Sequence, residues 1–376
     1  MKRTIFIICV LMLVLAFSGS LFAKETVRIG LIVPLTGDVK TFGESYKNAF
    51  SLALEEYVKK GKYTIDPVIA DDKNDPTEGT NAALKLMTQD KVTAVIGPMT
   101  SKVAIPVSEL ATKQKVPLVT GTATNPKVTI SDGKRKPYVF RACFIDPFQG
   151  TVAAGFALKN LKAGTAAILY DVGNDYSKGL ADYFQATFKK GKGAVVAYES
   201  YQKDDVDFSA LITKIQIKKP DVIYIPDYYN KVALIAKQIR EKGLRSAMLG
   251  GDGWDSPDLV KNAGDAIMGS YFTNHYSPDR KDPVAEVFIK RYKERYNAVP
   301  DTFAALGYDA TMILLKALDG AKKPSQDDIM KQLTALKNFK GVTGNIGFDK
   351  NGDAVKSVVI LKVEKEGFKY VTTINP

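Results

Sequence analysis

The chain has 376 residues, a formal net charge of +12, one histidine and two cysteines. A single histidine excludes a metal site built from several of them, and the length exceeds one small core and points to two domains. The excess lysines are scattered among acidic residues rather than gathered in one arm, which argues against a nucleic-acid partner.

The first segment has a basic start (Lys2, Arg3), an uncharged apolar run from Ile5 to Phe17, small residues at Ser18 to Ser20, and Ala23 before Lys24. That order is the pattern of a secretory signal peptide over residues 1–23. The run is shorter than the roughly 20 residues that span a bilayer. Cys9 lies inside it rather than at the exit, so no lipid anchor is expected. Cleavage leaves Cys143 alone, without an intramolecular disulfide.

Beyond the leader, short β-branched runs alternate with helical patterns. Val27–Val33 reads as a strand, Phe42–Lys60 as a helix, Thr64–Ala70 as a strand and Pro76–Gln89 as a helix. Thr93–Ile96, the helix Ser101–Gln114 and the strand Val116–Thr120 complete a first series. A second series runs through the strand Thr165–Tyr170, the helix Ser177–Lys190, the strand Ala194–Ser200 and the helix Phe208–Ile217. Val222–Ile225, the helix Lys231–Lys242 and Ala247–Leu249 end it. Strands alternating with helices imply right-handed βαβ units and parallel sheets covered on both faces. The tail carries helices at Pro283–Tyr296, Thr302–Ala317 and Gln326–Leu336, then a hairpin within Ser357–Val371. It has too few strands for a third domain, so it completes the first two. The chain then crosses between lobes near Arg141–Asp146, Phe272–Ser277 and Gly347–Lys350, which makes a hinge.

No H-E-x-x-H, G-x-S-x-G or P-loop signature is present, and Gly250-Gly251-Asp252-Gly253 misses the dinucleotide spacing. Asp71, Asp72, Asn74 and Asp75 lack the glycine and closing glutamate of a calcium loop and read as a turn and helix cap. His275 reads as a hinge or surface residue. The informative residues follow the strands, where open α/β sheets bind ligands. Ser101 opens a helix, whose hydroxyl and amides suit an anion. Thr122, Ala123 and Thr124 add hydroxyls and amides, giving a carboxylate cradle. Asp252, in a glycine-flanked loop of the other lobe, suits an ammonium. Tyr176, Tyr228 and Trp254 can close over an apolar side chain. An α-amino acid needs all three features at once.

The stretches IGLIVPLTGDVKTFGES (Ile29–Ser45), AVIGPMTS (Ala94–Ser101), PLVTGTAT (Pro117–Thr124), FRACFIDPFQG (Phe140–Gly150) and GGDGW (Gly250–Trp254) resemble those of the periplasmic leucine/isoleucine/valine-binding proteins of ABC transporters. The resemblance covers the chain after the leader. It implies a type I periplasmic binding fold: two Rossmann-like α/β lobes with parallel sheets, joined by a three-stranded hinge. Residues 24–143 with 274–348 form the first lobe, and 144–273 with 349–376 the second. It also implies that Ser101, Thr122, Ala123 and Thr124 hold the ligand carboxylate, that Asp252 beside Gly253 holds the ammonium, and that Phe42, Tyr176, Tyr228 and Phe303 form aromatic walls. Phe42 stands where the family commonly has tyrosine, and Asp252 where it usually has glutamate. Lys102 and Trp254, near the pocket, are expected to shift its preference.

The implied protein is a periplasmic monomer without cofactor or metal, not an enzyme, handing a small amino acid to membrane permease subunits. Relatives of the same fold sense amides, urea or polyamines. A ligand-sensing module of a receptor would need a membrane-spanning or DNA-binding segment, which the sequence does not display.

Overall fold

The computed structural model describes residues 24–376; the expected leader, with Cys9, lies outside them. The first sheet contains β1 (Thr26–Val33), β2 (Thr64–Asp71), β3 (Ala94–Ile96), β4 (Leu118–Thr120) and β5 (Val139–Arg141). Its order is β2-β1-β3-β4-β5, with every pair parallel. The helices α1 (Lys40–Lys60), α2 (Pro76–Thr88) and α3 (Ser101–Gln114) connect these strands. With helices over both faces, β3, β4 and β5 are buried throughout and are spelled in mostly apolar residues. After β3 the chain turns at Gly97, whose φ is +91° and where a Cβ would stand 2.1 Å from the Ile32 carbonyl oxygen. Only glycine fits there.

Following β5, α4 (Asp146–Lys159) opens the second layer. It comprises β6 (Thr165–Asp171), α5 (Asp175–Lys190), β7 (Ala194–Tyr201), α6 (Ser209–Lys218), β8 (Val222–Tyr224), α7 (Tyr229–Glu241), β9 (Ala247–Gly250), α8 (Pro257–Ala263) and β10 (Tyr271–Asn274). The chain then forms α9 (Pro283–Tyr296), α10 (Thr302–Gly320) and α11 (Gln326–Ala335). After a small hairpin at Phe339–Ile346 it ends in β11 (Val358–Glu364) and β12 (Gly367–Ile374). The second sheet has the order β12-β11-β10-β9-β8-β6-β7.

The sheets are parallel as expected, and the expected terminal hairpin adds an antiparallel edge to the second. β11 runs antiparallel to both β10 and β12. β11 and β12 are joined by a two-residue turn rather than a helical crossover, and such a connection permits only antiparallel pairing.

The chain passes three times between the layers, and the passages are tied to one another. Arg141 donates its backbone N–H to the Gly352 carbonyl (3.0 Å) and its Nε to Asp353 Oδ1 (2.6 Å). Lys356 Nζ reaches the Ala142 carbonyl at 3.3 Å, and Phe144 stacks on His275 with ring centroids 3.5 Å apart. Having left the second sheet, α10 packs against α1. Tyr57 donates to Asp319 (2.6 Å), and Tyr308 donates to Glu56 (2.8 Å).

Candidate functional site

The loops at the carboxyl ends of both sheets face each other across a cleft that is shut. Tyr229 donates its hydroxyl to the Asp38 carbonyl (3.3 Å), and Asn125 Nδ2 donates to the Asp175 carbonyl (2.9 Å). The Thr41 and Ser256 hydroxyls lie 3.3 Å apart. Between them is a small cavity. Phe42, Met99, Thr100, Ser101 and Thr122 line it from the first layer; Tyr176, Tyr228, Asp252 and Gly253 line it from the second; Phe303 of α10 completes the wall.

The first-layer side of the cavity is a helix N-terminus. Thr100, the N-cap of α3, does not cap it but donates its hydroxyl to Asn74 Oδ1 (2.8 Å). The Ser101 and Lys102 amides precede the helical hydrogen-bond ladder, while the Val103 N–H donates to the Thr100 carbonyl (3.2 Å); the helix dipole favours an anion in front of them. Ser101 Oγ accepts from the Asn125 N–H (3.1 Å), so its own proton stays available. Thr122 lines the cavity, yet its hydroxyl is engaged in donating to the Met99 carbonyl (2.6 Å).

Ala123 and Thr124, expected beside Ser101, are not part of the cavity wall. The Ala123 N–H donates to Thr120 Oγ1 (3.2 Å), and its carbonyl accepts from Arg141 Nη1 (2.8 Å). Both of its backbone groups are therefore spent on the fold. The Thr124 carbonyl accepts from the Asp146 N–H (3.0 Å), and its hydroxyl has no partner among the described residues.

On the second-layer side Asp252 is buried and accepts three hydrogen bonds. Oδ1 takes the Tyr176 hydroxyl (2.7 Å) and Gln149 Nε2 (2.8 Å); Oδ2 takes His275 Nε2 (3.0 Å). The Tyr176 hydroxyl in turn accepts from the Gly253 N–H (3.0 Å). A Cβ on Gly253 would lie 2.9 Å from the Asp227 carbonyl oxygen and 3.1 Å from the Tyr176 hydroxyl, so the loop passes between Asp227 and Tyr176 only as glycine. The walls are aromatic: Phe42 stacks on Phe303 (centroids 3.9 Å apart) and Tyr176 on Tyr228 (5.3 Å), while Phe42 meets Tyr228 edge-on at 5.9 Å.

Other sequence expectations change. Trp254 is fully buried, donates Nε1 to the Ile225 carbonyl (2.9 Å) and packs on Phe272. It belongs to the core, because the loop's first glycine makes room for the indole there. Neither Trp254 nor Lys102 is part of the cavity wall. His275 is not on the surface: it is buried against Phe144, and burial pushes its imidazole down to about 4. Sequence reasoning missed both His275 and Gln149 as partners of Asp252. The only available signal was that a lone histidine fell on an expected crossing between lobes.

In the 71–75 segment, Asp71 accepts from the Leu35 N–H (2.8 Å) and the Thr36 hydroxyl (2.6 Å). Asp75 caps α2 through the amides of Thr77 and Glu78. Among the described residues no group of three or more His, Cys, Asp or Glu could hold a metal ion. Cys143 is buried, which pushes its thiol up to about 12.

Two α/β layers closing on a small cavity at their strand ends define a two-lobed ligand-binding protein. Residues 26–368 match the family of periplasmic binding proteins, and the chain belongs to that family. It is 35% identical over 351 residues to the Leu/Ile/Val-binding protein BraC3 of Rhizobium johnstonii, covering 91% of this chain and 92% of that one. Among solved structures it is similar to a leucine-binding protein, LivK, of Thermotoga maritima, at 38% identity and a TM-score of 0.88 over 93% of this chain and 99% of that one. The isoleucine complex of LivJ from Streptococcus pneumoniae is 31% identical, with a TM-score of 0.87 over 94% and 100% of the two chains. No described helix is long and apolar enough to cross a membrane.

Proposed function

We propose that this protein is the extracytoplasmic substrate-binding component of an ABC transporter, closing two lobes around a branched-chain or other apolar amino acid. The lobes are residues 24–143 with 274–348 and residues 144–273 with 349–376. After export and removal of residues 1–23, the protein works in the periplasm as a monomer. It delivers its ligand chemically unchanged to membrane permease subunits.

One observation carries this reading. The same cavity is lined from the first layer by a helix N-terminus with the free proton of Ser101 and from the second by a buried carboxylate, Asp252. The two suit the opposite charges of a zwitterion. The ligand carboxylate lies against Ser101 and the first amides of α3, with Thr122 beside them. The ammonium meets Asp252 beside Gly253. Phe42, Tyr176, Tyr228 and Phe303 enclose the side chain, whose burial contributes about 1.5–3 kcal/mol. One methylene is worth roughly 1–3 kcal/mol, so leucine, isoleucine and valine compete for one site. The named relatives that bind these amino acids support the choice.

Closure follows from contacts that exist only when both lobes touch one ligand. Thermal unfolding of ligand-stripped protein with each amino acid and with small amides tests the reading. Leucine, isoleucine or valine at a hundred times its Kd should stabilise the fold by about 2.7 kcal/mol. A response to amides, urea or polyamines alone would replace the amino acid with one of those ligands.

A further inference from the structure

Asp252 is held by more donors than a carboxylate needs merely to stay in place. Tyr176 and Gln149 both reach Oδ1, while His275 Nε2 alone reaches Oδ2. A carboxylate accepts about four hydrogen bonds, two to each oxygen. Three positions are filled, and the fourth is on Oδ2.

The bracing comes from outside the Asp252 loop. His275 follows β10, where the chain leaves the second sheet, and its ring lies flat on Phe144, which follows β5 (3.5 Å, 20°). Gln149 lies near the start of α4, and its Nε2 also donates to Thr273 Oγ1 (2.9 Å). A carboxylate only accepts, so the His275 proton is on Nε2. Nδ1, which has no partner among the described residues, is then the unprotonated nitrogen of a neutral ring.

We propose that His275 is a positioning residue for the ligand's amine: with Gln149 and Tyr176 it fixes Asp252 so that one acceptor position, on Oδ2, remains for one N–H of an ammonium group. This rests on the amino-acid reading above. The neutral ring orients Oδ2 without cancelling the charge that an ammonium requires, whereas a cation in its place would compete with the ligand. The brace also stands on the passages between layers, so the amine subsite is anchored to the hinge rather than to a loop that moves independently.

Calorimetry at pH 7 with L-leucine and with 4-methylpentanoate, the same skeleton without its amine, tests the role of His275. His275→Phe keeps the ring on Phe144 and removes the donor. It should weaken leucine about ten- to a hundredfold and leave 4-methylpentanoate within about twofold, because a hydrogen bond felt only through Asp252 acts only on the amine. His275→Gln, which restores an N–H donor, should recover most of the loss. Unchanged leucine affinity in His275→Phe, or equal losses for both ligands, would overturn the proposal.

A second measurement uses the unmodified protein. The chain has one histidine, so its ¹⁵N spectrum contains one imidazole. A proton on Nε2 that shifts when leucine is added is expected; a proton on Nδ1 instead overturns the proposal. Failure of the wild-type protein to bind leucine at all would overturn the reading of the site itself, a different result from intact binding in His275→Phe.

Discussion

Asp252 and Asp146 are both buried acids near the cleft, yet their environments set them opposite tasks. Asp252 has three donors, and removing its carboxylate should leave a ligand ammonium buried without a counter-charge. Asp252→Ala is expected to cost roughly 2–5 kcal/mol of binding, read by calorimetry with leucine. Asp146 has no such set of donors among the described residues, and burial pushes its carboxyl up to about 8. Its folded pKa lies above the ordinary 3.8, so folding takes up a proton across that window and its contribution to stability is lost as pH rises through about 8. Asp146→Asn removes the proton uptake. Its unfolding midpoint relative to wild type should therefore climb from about pH 4 to about pH 8 and level off above. A difference independent of pH would refute this. Much of the cavity wall was legible at this scale, because Ser101, Tyr176, Tyr228 and Asp252 follow strand ends where an α/β sheet places its ligand. His275 and Gln149 were not, since their bonds to Asp252 close over 23 and 103 residues, a distance at which spacing in the chain carries no information.

Helices with one apolar stripe were read within a few residues of their bounds, and α9 at both ends, because proline at N1 and an asparagine in the left-handed region frame it. The helix α4 was missed. Its sequence, DPFQGTVAAGFALK, is buried at Val152, Ala153, Ala154, Phe156 and Ala157, so no polar face marks a helical period. The short β5 and β10 were missed as strands because VFR and YFTN offer no run of β-branched residues, whereas the equally short β3 and β8, AVI and VIY, do. The turn before α2 was legible as a cap, and it supplies a test at this scale. Asp75 accepts from the amides of Thr77 (2.8 Å) and Glu78 (3.0 Å), and Asp75→Ala should destabilise the protein by about 1 kcal/mol in urea unfolding without changing ligand affinity.

The two layers behave as one molecule because the passages between them are bonded to each other. Arg141 is fully buried. Besides Asp353 it donates to Thr129 Oγ1 (2.8 Å) and to the Ala123 carbonyl, joining the loop behind the cavity to the returning chain. Arg141→Met should cost about 3–5 kcal/mol, because it leaves Asp353 a buried carboxylate without its cation. Denaturant unfolding would measure this, and the double variant Arg141→Met/Asp353→Leu should regain part of the loss.

The pairing of α10 with α1 also governs the order in which the chain can acquire its shape. Tyr308 and Glu56 are 252 residues apart, and Tyr57 and Asp319 are 262 apart. A polypeptide emerging amino end first from the ribosome presents α1 long before the helix that covers it exists. The first layer cannot be completed until about four-fifths of the sequence has been synthesised. Such non-local closure slows folding. It leaves apolar surface uncovered on the nascent chain during the interval in which a chaperone can capture it.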